Sequence, residues 1–154
     1  VNKKIFISIG VPGSGKSTAL AEICRNRTYR YVSADEVRLL VNGSVESQAN
    51  PSKVWGIVFE LFTKALEDPT CDTIVVDNTN ITFDNRKKFY DVAKLYAKQV
   101  EFVLVWVDVP VEVAIRRNAG RSRKVPEHVI RGMAERLQPP TVDERNAFEV
   151  IVVR

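Results

Sequence analysis

Gly10-Val11-Pro12-Gly13-Ser14-Gly15-Lys16-Ser17 stands between the apolar, β-rich run Ile5-Phe6-Ile7-Ser8-Ile9 and an amphipathic segment from Ser17 to Asn26. The octet fits GxxxxGK[ST], and a strand before it and a helix after it are the setting in which that pattern has a mechanism. Glycine permits backbone angles that side chains forbid, so successive N–H groups can converge on a polyphosphate whose charge also meets the N-terminus of the helix. Gly10, Pro12, Gly13, Ser14, Gly15, Lys16, Ser17 and Thr18 are therefore the candidate nucleotide-binding residues. Lys16 would reach the β- and γ-phosphates, and Ser17 would hold Mg²⁺ through its hydroxyl. The competing reading is a glycine-rich turn opening a helix; every constrained position of the pattern is matched, which favours a nucleotide.

Outward from this loop, short β-rich runs alternate with longer helical patterns, the arrangement of a parallel sheet covered by helices. Tyr31-Val32 reads as a second strand, followed by Ser33 as N-cap with Glu36 at N3, an apolar face from Val37, Leu39, Leu40 and Val41, and Gly43 as the stop. Asn50-Pro51 reads as cap and first helical residue of a helix that runs to Pro69. Thr73-Ile74-Val75-Val76 is apolar enough for a strand buried on both faces, and it ends in Asp77. A helix from about Asp84, marked by Phe89, Ala93 and Tyr96, a strand from Val100 to Val107 and a helix after Pro110 follow. Pro126 opens another helix to about Leu137, Pro139-Pro140 breaks it, and Phe148 to Val153 makes a last strand. The expected fold class is α/β, a parallel sheet flanked by helices with an Arg-rich lid.

A chain of 154 residues, 45% hydrophobic and 27% charged, suits one globular domain that buries about 68–70% of its unfolded surface. Disulfide mini-proteins, collagens and disordered tails are excluded. No apolar run approaches the roughly 20 residues of a membrane helix, and the N-terminus carries no cleavage signal. The only cysteines, Cys24 and Cys71, lack metal-ligand spacing and suit a reducing compartment. The expectation is a cytoplasmic protein with no membrane contact. The start without Met and the end at a strand suggest a domain excised from a larger protein.

The net charge of +4 is uneven: between Arg116 and Arg136 seven basic residues face two acidic ones, while the rest holds 16 basic and 17 acidic. Such a stretch fits a phosphate-facing surface, the alternative being a solvated helix face. Arg117, Arg121 and Lys124 recur at four- and three-residue steps, so a helical face or a folded lid over about 117–125 can bring them to one anion. Arginines over a transferring phosphoryl group stabilise its charge, and a closing lid excludes water. Gly120 is a candidate hinge.

The second strand opens at its carboxyl end into the same crevice as the loop. Asp35 and Arg38, just beyond it, share a helical face. A carboxylate there can accept the proton of an attacking hydroxyl, and an arginine can fork onto an acceptor phosphate. Helix capping and a surface charge are the competing readings. Asp77 stands where a phosphate-loop nucleotidase places the acid that orders Mg²⁺ and its waters, unless it is only a strand-end turn. Asn78 and Thr79 extend the turn with short hydrogen-bonding side chains that can hold an acceptor. His128, the sole histidine, reads as surface, and Trp55 and Trp106 read as core rather than base-stacking residues.

In order along the chain, GVPGSGKST, SADEVR, VVDNTN and DVPVEVAIRRNAGRSRKVP, with the terminal PPT and last strand, resemble the kinase domain of polynucleotide 5′-hydroxyl kinases of the phage and animal end-healing type. The first segment is common to many kinases; the combination of the others is more specific. The resemblance implies transfer of the γ-phosphate of ATP, or another NTP, with Mg²⁺, to a 5′-hydroxyl end of DNA or RNA. It implies Asp35 as general base, Arg38 on the acceptor phosphate, Lys16 and Ser17 on the donor, and Arg117 and Arg121 as lid arginines, Arg121 acting in the transition state. Some family members place the third-strand acid one position later, so Asp77 or Asn78 is the equivalent, and Arg123 and Lys124 lie where members vary. No DxDxT phosphatase signature occurs here, so a linked phosphatase or ligase domain, or a separate ligase, would be the partner in end repair. Two other readings compete: a small-molecule kinase acting on a nucleoside, sugar or antibiotic hydroxyl, and a non-catalytic ATP-dependent nucleic-acid-binding module.

Overall fold

The structure, a computed structural model, describes residues 2–96, 99–122 and 124–154. The apolar run before the loop forms β1 (Lys3–Ile9), which is joined in one sheet by β2 (Arg30–Val32), β3 (Thr73–Val76), β4 (Val100–Val107) and β5 (Glu149–Val153). The described strands pair in parallel in the order β2-β3-β1-β4-β5. β1 therefore lies between β3 and β4. The chain leaves β1 for one edge of the sheet, then crosses to the other, so the loop after β1 opens at the topological switch point where open α/β sheets bind ligands.

Alternation along β1 divides its side chains between two cores. Ile5, Ile7 and Ile9, with Ile74, Val76, Phe102 and Leu104, pack under α2 (Ala34–Asn42), α3 (Pro51–Glu67) and α4 (Phe83–Tyr96). On the opposite face Phe6, Val75, Val103 and Val105 meet Leu20 and Cys24 from α1 (Lys16–Ile23) and its C-cap. Every residue of β3 is buried, as expected for a strand covered on both sides. A third, smaller cluster joins Val11 of the loop to Ala114 of α5 (Val111–Ala119) and Ile130 of α6 (Glu127–Arg136), so the phosphate loop is anchored to the first two helices that follow β4.

Local capping explains several boundaries. Ser33 accepts from the Glu36 N–H, and Gly43 ends α2 with φ 73°, both as the sequence predicts. Asn50 occupies the expected cap position but its side chain caps nothing; its amide donates to Asn42 Oδ1 at 3.1 Å instead. α2 buries Ala34 and Val37, with Val41 packed beside them, and this narrow stripe leaves Leu39 and Leu40 exposed, contrary to the apolar face expected. In α4 the buried residues are Arg86, Phe89, Tyr90 and Ala93, while Tyr96, at the end of the helix, lies outside that stripe and is exposed. The break expected at Pro139-Pro140 is followed by a short helix the sequence analysis lacks, α7 (Val142–Ala147), started by a reciprocal capping box between Thr141 and Glu144. Among the described residues, no helix is long and apolar enough to cross a membrane.

Candidate active site

The loop's geometry follows from its glycines. Gly13 and Gly15 adopt φ of 83° and 103°, in the left-handed region that other residues enter at a cost. At Gly13 there is also no room for a side chain, because a Cβ would stand 2.4 Å from the Ala114 carbonyl oxygen of α5. Gly15 is the N-cap of α1, and no described side chain caps that helix. The first N–H groups of α1 are thereby left to a ligand, the arrangement that attracts an anion. Ser14 Oγ, also in the loop, is buried with no hydrogen-bond partner among the described residues, a donor such a ligand can satisfy.

Lys16 folds back so that Nζ donates to the Val11 carbonyl oxygen at 3.0 Å. Burial lowers its ammonium pKa to about 8; the Asp77 and Asp35 carboxylates pull it back up and the Arg121 guanidinium pushes it down again. Residues from four separate parts of the chain thus act on one amine. Ser17 Oγ donates to Asp77 Oδ2 at 2.6 Å, and the Tyr31 hydroxyl donates to the same oxygen. Burial, then the Asp77 carboxylate, raises the Tyr31 phenol well above its ordinary value, so it remains a donor.

The turn after β3 ties the donor side of the site to its acceptor side. Asn78 Oδ1 accepts from the N–H of Ala34, the first residue of α2, at 2.8 Å. The Thr79 carbonyl accepts from the Gly10 N–H at 3.0 Å, and Asn80, at φ 45°, donates through Nδ2 to the Ser8 carbonyl. One residue into α2, Asp35 Oδ1 accepts from Arg38 Nη1 at 2.9 Å. The arginine is the more buried of the two, so the carboxylate remains half open to the cleft.

A cleft of about 820 Å³ runs through this region. Pro12, Gly13, Gly15, Lys16, Ser17 and Thr18 line it from the loop; Asp35 and Arg38 from α2; Asp77, Asn78 and Thr79 from the β3 turn; and Arg117, Arg121 and Lys124 from the basic stretch. Gly10 and Ser14 are not among the residues that line it. Trp55 also lines the cleft, half-buried on α3, whereas Phe59 and Phe62 turn inward against Phe89. Trp55 thus packs against the core, as expected, while also reaching the cleft. Trp106 packs beside the core, under the Arg145 guanidinium, and His128 is exposed, as expected.

The basic segment differs from the expected lid in one respect. Arg117 belongs to α5, and its Nη1 donates to the Ser14 carbonyl at 2.8 Å, so this residue braces the loop. Gly120, at the C-cap of α5, has φ −86°, a conformation open to any residue. The connection beyond α5 is closed by Asn118, whose amide donates to the Val125 carbonyl at 2.8 Å and accepts from the Val125 N–H at 3.0 Å. Arg123 lies outside the described residues. The sequence reading missed Tyr31, Asn118 and Trp55 as parts of the site. Asn118 alone carried a signal, as the asparagine within RRNAGR.

Among the described residues, no group of three or more His, Cys, Asp or Glu could enclose a metal ion. The Ser17 hydroxyl and the Asp77 carboxylate are nevertheless hard oxygen donors facing the loop, which suits Mg²⁺ bound mainly through phosphates and water.

The AAA domain family model matches residues 5–140, and the chain belongs to that family; its parallel sheet, loop and flanking helices are a P-loop kinase fold. It is 23% identical over 145 residues to an L-seryl-tRNA(Sec) kinase of Methanococcus maripaludis, covering 88% of this chain and 53% of that protein. It is 25% identical over 148 residues to a bifunctional polynucleotide phosphatase/kinase of Schizosaccharomyces pombe, covering 93% and 32%. The chain thus spans about half the length of the first and about a third of the second. A fungal RNA kinase structure superposes with a TM-score of 0.70 at 19% identity, covering 100% of this chain and 75% of that one. An adenylate kinase and a gluconokinase are also similar, so kinases named for different acceptors share this fold.

Proposed function

We propose that the chain is a polynucleotide 5′-hydroxyl kinase, transferring the γ-phosphate of ATP to the 5′-hydroxyl end of DNA or RNA. The observation that carries this reading is the Asp35–Arg38 pair, joined at 2.9 Å, which lines the same cleft as the phosphate loop. A 5′ end presents a hydroxyl and, one sugar away, a phosphodiester; a carboxylate beside a guanidinium offers a base for the first and a fork for the second. Trp55 on the same wall supplies an aromatic surface of the kind that stacks single-stranded bases. The name of the Schizosaccharomyces relative, a polynucleotide phosphatase/kinase, supports a polynucleotide acceptor, and that of the Methanococcus relative, an L-seryl-tRNA(Sec) kinase, is in keeping with an acceptor that carries RNA.

In this reading Asp35 takes the proton of the attacking 5′-hydroxyl, and Arg38 fixes the acceptor by its phosphate. Lys16 and the open N-terminus of α1 hold the donor phosphates, and Arg121 meets the charge on the group in transit. Ser17 and Asp77 would hold Mg²⁺ together with the donor phosphates, and the ion would supply charge neutralisation there.

The test is transfer of labelled γ-phosphate, with Mg²⁺, to a 5′-hydroxyl oligonucleotide beside an equimolar nucleoside and a 5′-phosphorylated oligonucleotide. Label on the 5′-hydroxyl oligonucleotide alone is expected. Label on the nucleoside would make this a small-molecule kinase, and ATP binding without transfer to any acceptor would make it a binding module.

A further inference from the structure

Arg86 is the largest fully buried side chain outside the cleft. It faces Glu144, itself buried, in a two-pronged ion pair: Nε donates to Oε2 at 2.9 Å and Nη2 to Oε1 at 2.8 Å. Taking two charges out of water is unfavourable, and apolar residues of similar size commonly serve a core as well, so such a pair calls for a reason beyond stability. Its other contacts supply one. Arg86 Nη1 donates to the Asn80 carbonyl oxygen at 2.9 Å, which places its remaining prong on the turn that follows Asp77.

That carbonyl belongs to a residue in the left-handed region, φ 45°, which asparagine enters more readily than most residues. The turn it closes makes every link between the two halves of the cleft described above. Asn78 holds the N–H of Ala34, next to Asp35; Thr79 holds the N–H of Gly10, the first residue of the phosphate loop. Asn80 Nδ2 holds the Ser8 carbonyl at the end of β1. A shift of the Asn80 carbonyl would therefore move the start of α2 relative to the start of the loop.

Glu144 is fixed in turn. Tyr90 donates to its Oε2 at 2.6 Å and the Thr141 N–H donates to its Oε1 at 2.9 Å. Burial alone would raise the Glu144 carboxyl, but Arg86, Tyr90 and the Thr141 N–H outweigh it and keep the group ionised. The capping box of α7 and the core of α4 thus converge on one guanidinium, whose free donor points at the turn.

We propose that Arg86, held by Glu144, is a positioning residue that sets the Asp77–Asn80 turn and through it the distance between the acceptor base Asp35 and the phosphate loop. The acceptor half of this statement rests on the proposed function; the setting of the turn does not.

Removing Arg86 alone strands a carboxylate in the core, so the test uses the neutral double variant Arg86→Met/Glu144→Gln beside Tyr90→Phe. The second loses a hydrogen bond to the same Glu144 without touching the turn, and so reports what stability alone does. Both are compared with the wild type where circular dichroism shows all three folded. In the double variant we expect amide exchange at residues 78–80 to rise at least tenfold, kcat for the oligonucleotide to fall at least tenfold, and the ATP Kd to stay within threefold. In Tyr90→Phe we expect a lower Tm with exchange at 78–80 and kcat within twofold of wild type. Exchange at 78–80 within twofold of wild type in the double variant would overturn the proposal, as would an equal rise in Tyr90→Phe. A wild type that phosphorylates only a nucleoside would overturn the proposed acceptor; the exchange comparison uses no acceptor and decides the positioning role on its own.

Discussion

Asp77 and Asn78, adjacent at the end of β3, point their side chains to opposite halves of one cleft: Asp77 accepts from Ser17 of the phosphate-loop helix at 2.6 Å, and Asn78 accepts from the backbone of Ala34 at the start of α2 at 2.8 Å. Asp77 thus holds the helix of the phosphate loop and Asn78 the start of α2, so the two neighbours make different contacts. This division also explains why Asp35 affects the Lys16 ammonium although the two come from different crossovers of the sheet.

Asp35→Ala is expected to lower kcat by roughly 10²–10⁴-fold, with the ATP Kd within a few fold of wild type. The carboxylate stands half open to the cleft and its hydrogen bond is to Arg38, so its loss removes no hydrogen bond of the phosphate loop, although Lys16 loses one of the two carboxylates that favour its charged form. Single-turnover transfer to a 5′-hydroxyl oligonucleotide, paired with equilibrium ATP binding, checks both halves. Retention of a substantial rate would remove Asp35 from the role of base.

Arg38→Ala is expected to act mainly on the acceptor KM, because the guanidinium would contact a phosphate present in ground and transition states alike. The same substitution frees Asp35 from its 2.9 Å partner, so a smaller fall in kcat should accompany it. Arg38→Lys keeps the charge but loses the fork, and is expected to recover only part of the affinity. Initial rates across a range of oligonucleotide concentrations separate the two parameters. A KM unchanged in Arg38→Ala would count against the phosphate contact.

The lowered pKa of Lys16 gives two linked pH effects. At pH 9 an amine with a pKa of about 8 is about nine-tenths neutral, and a bound polyphosphate would favour its charged form. ATP binding at pH 9 should therefore take up close to one proton, and at pH 7 this residue should contribute almost none. Calorimetry in two buffers of different ionisation enthalpy measures the uptake, and Lys16→Met should abolish it. For the free protein the sign also follows: the unfolded chain holds the proton between pH 8 and 10.5, the folded one does not. Stability relative to Lys16→Met should thus rise with pH across that window, as denaturant titrations of the two proteins can show.

The strands of the parallel sheet and the phosphate loop were legible because their signals are local. Gly13, Gly15, Lys16 and Ser17 sit together in sequence, and Thr73–Val76 is apolar throughout, so periodicity and motif suffice. Arg86 and Glu144 were illegible for the opposite reason. They are separated by β4, α5 and α6, and each alone looks like one more surface charge on a helix. Trp55 packs against the core as its helical periodicity implies, but periodicity does not say that a residue at the edge of a core also lines a cleft. The Arg117 brace was hidden similarly, since spacing relates it to Arg121 while the contact it makes is with the Ser14 backbone.

Two glycines with opposite environments test how much of the loop's sequence is backbone requirement. Gly13 has φ 83°, and an added Cβ would lie 2.4 Å from the Ala114 carbonyl oxygen and 3.0 Å from Asn118 Cβ. Both contacts are with α5, which also carries Arg117, so Gly13→Ala must push helix and loop apart. We expect it to cost about 1–3 kcal/mol from the backbone conformation alone, more with the clash, and to weaken ATP binding. Gly56 is exposed in the interior of α3, and a Cβ there meets nothing within 4 Å. Gly56→Ala should stabilise the protein by about 0.5–1 kcal/mol, a rise in Tm of about 1–4 °C, with ATP affinity unchanged. Thermal unfolding and ATP binding of both variants check the contrast. A Gly13→Ala protein as stable as wild type would mean that α5 does not press on the loop as the structure has it.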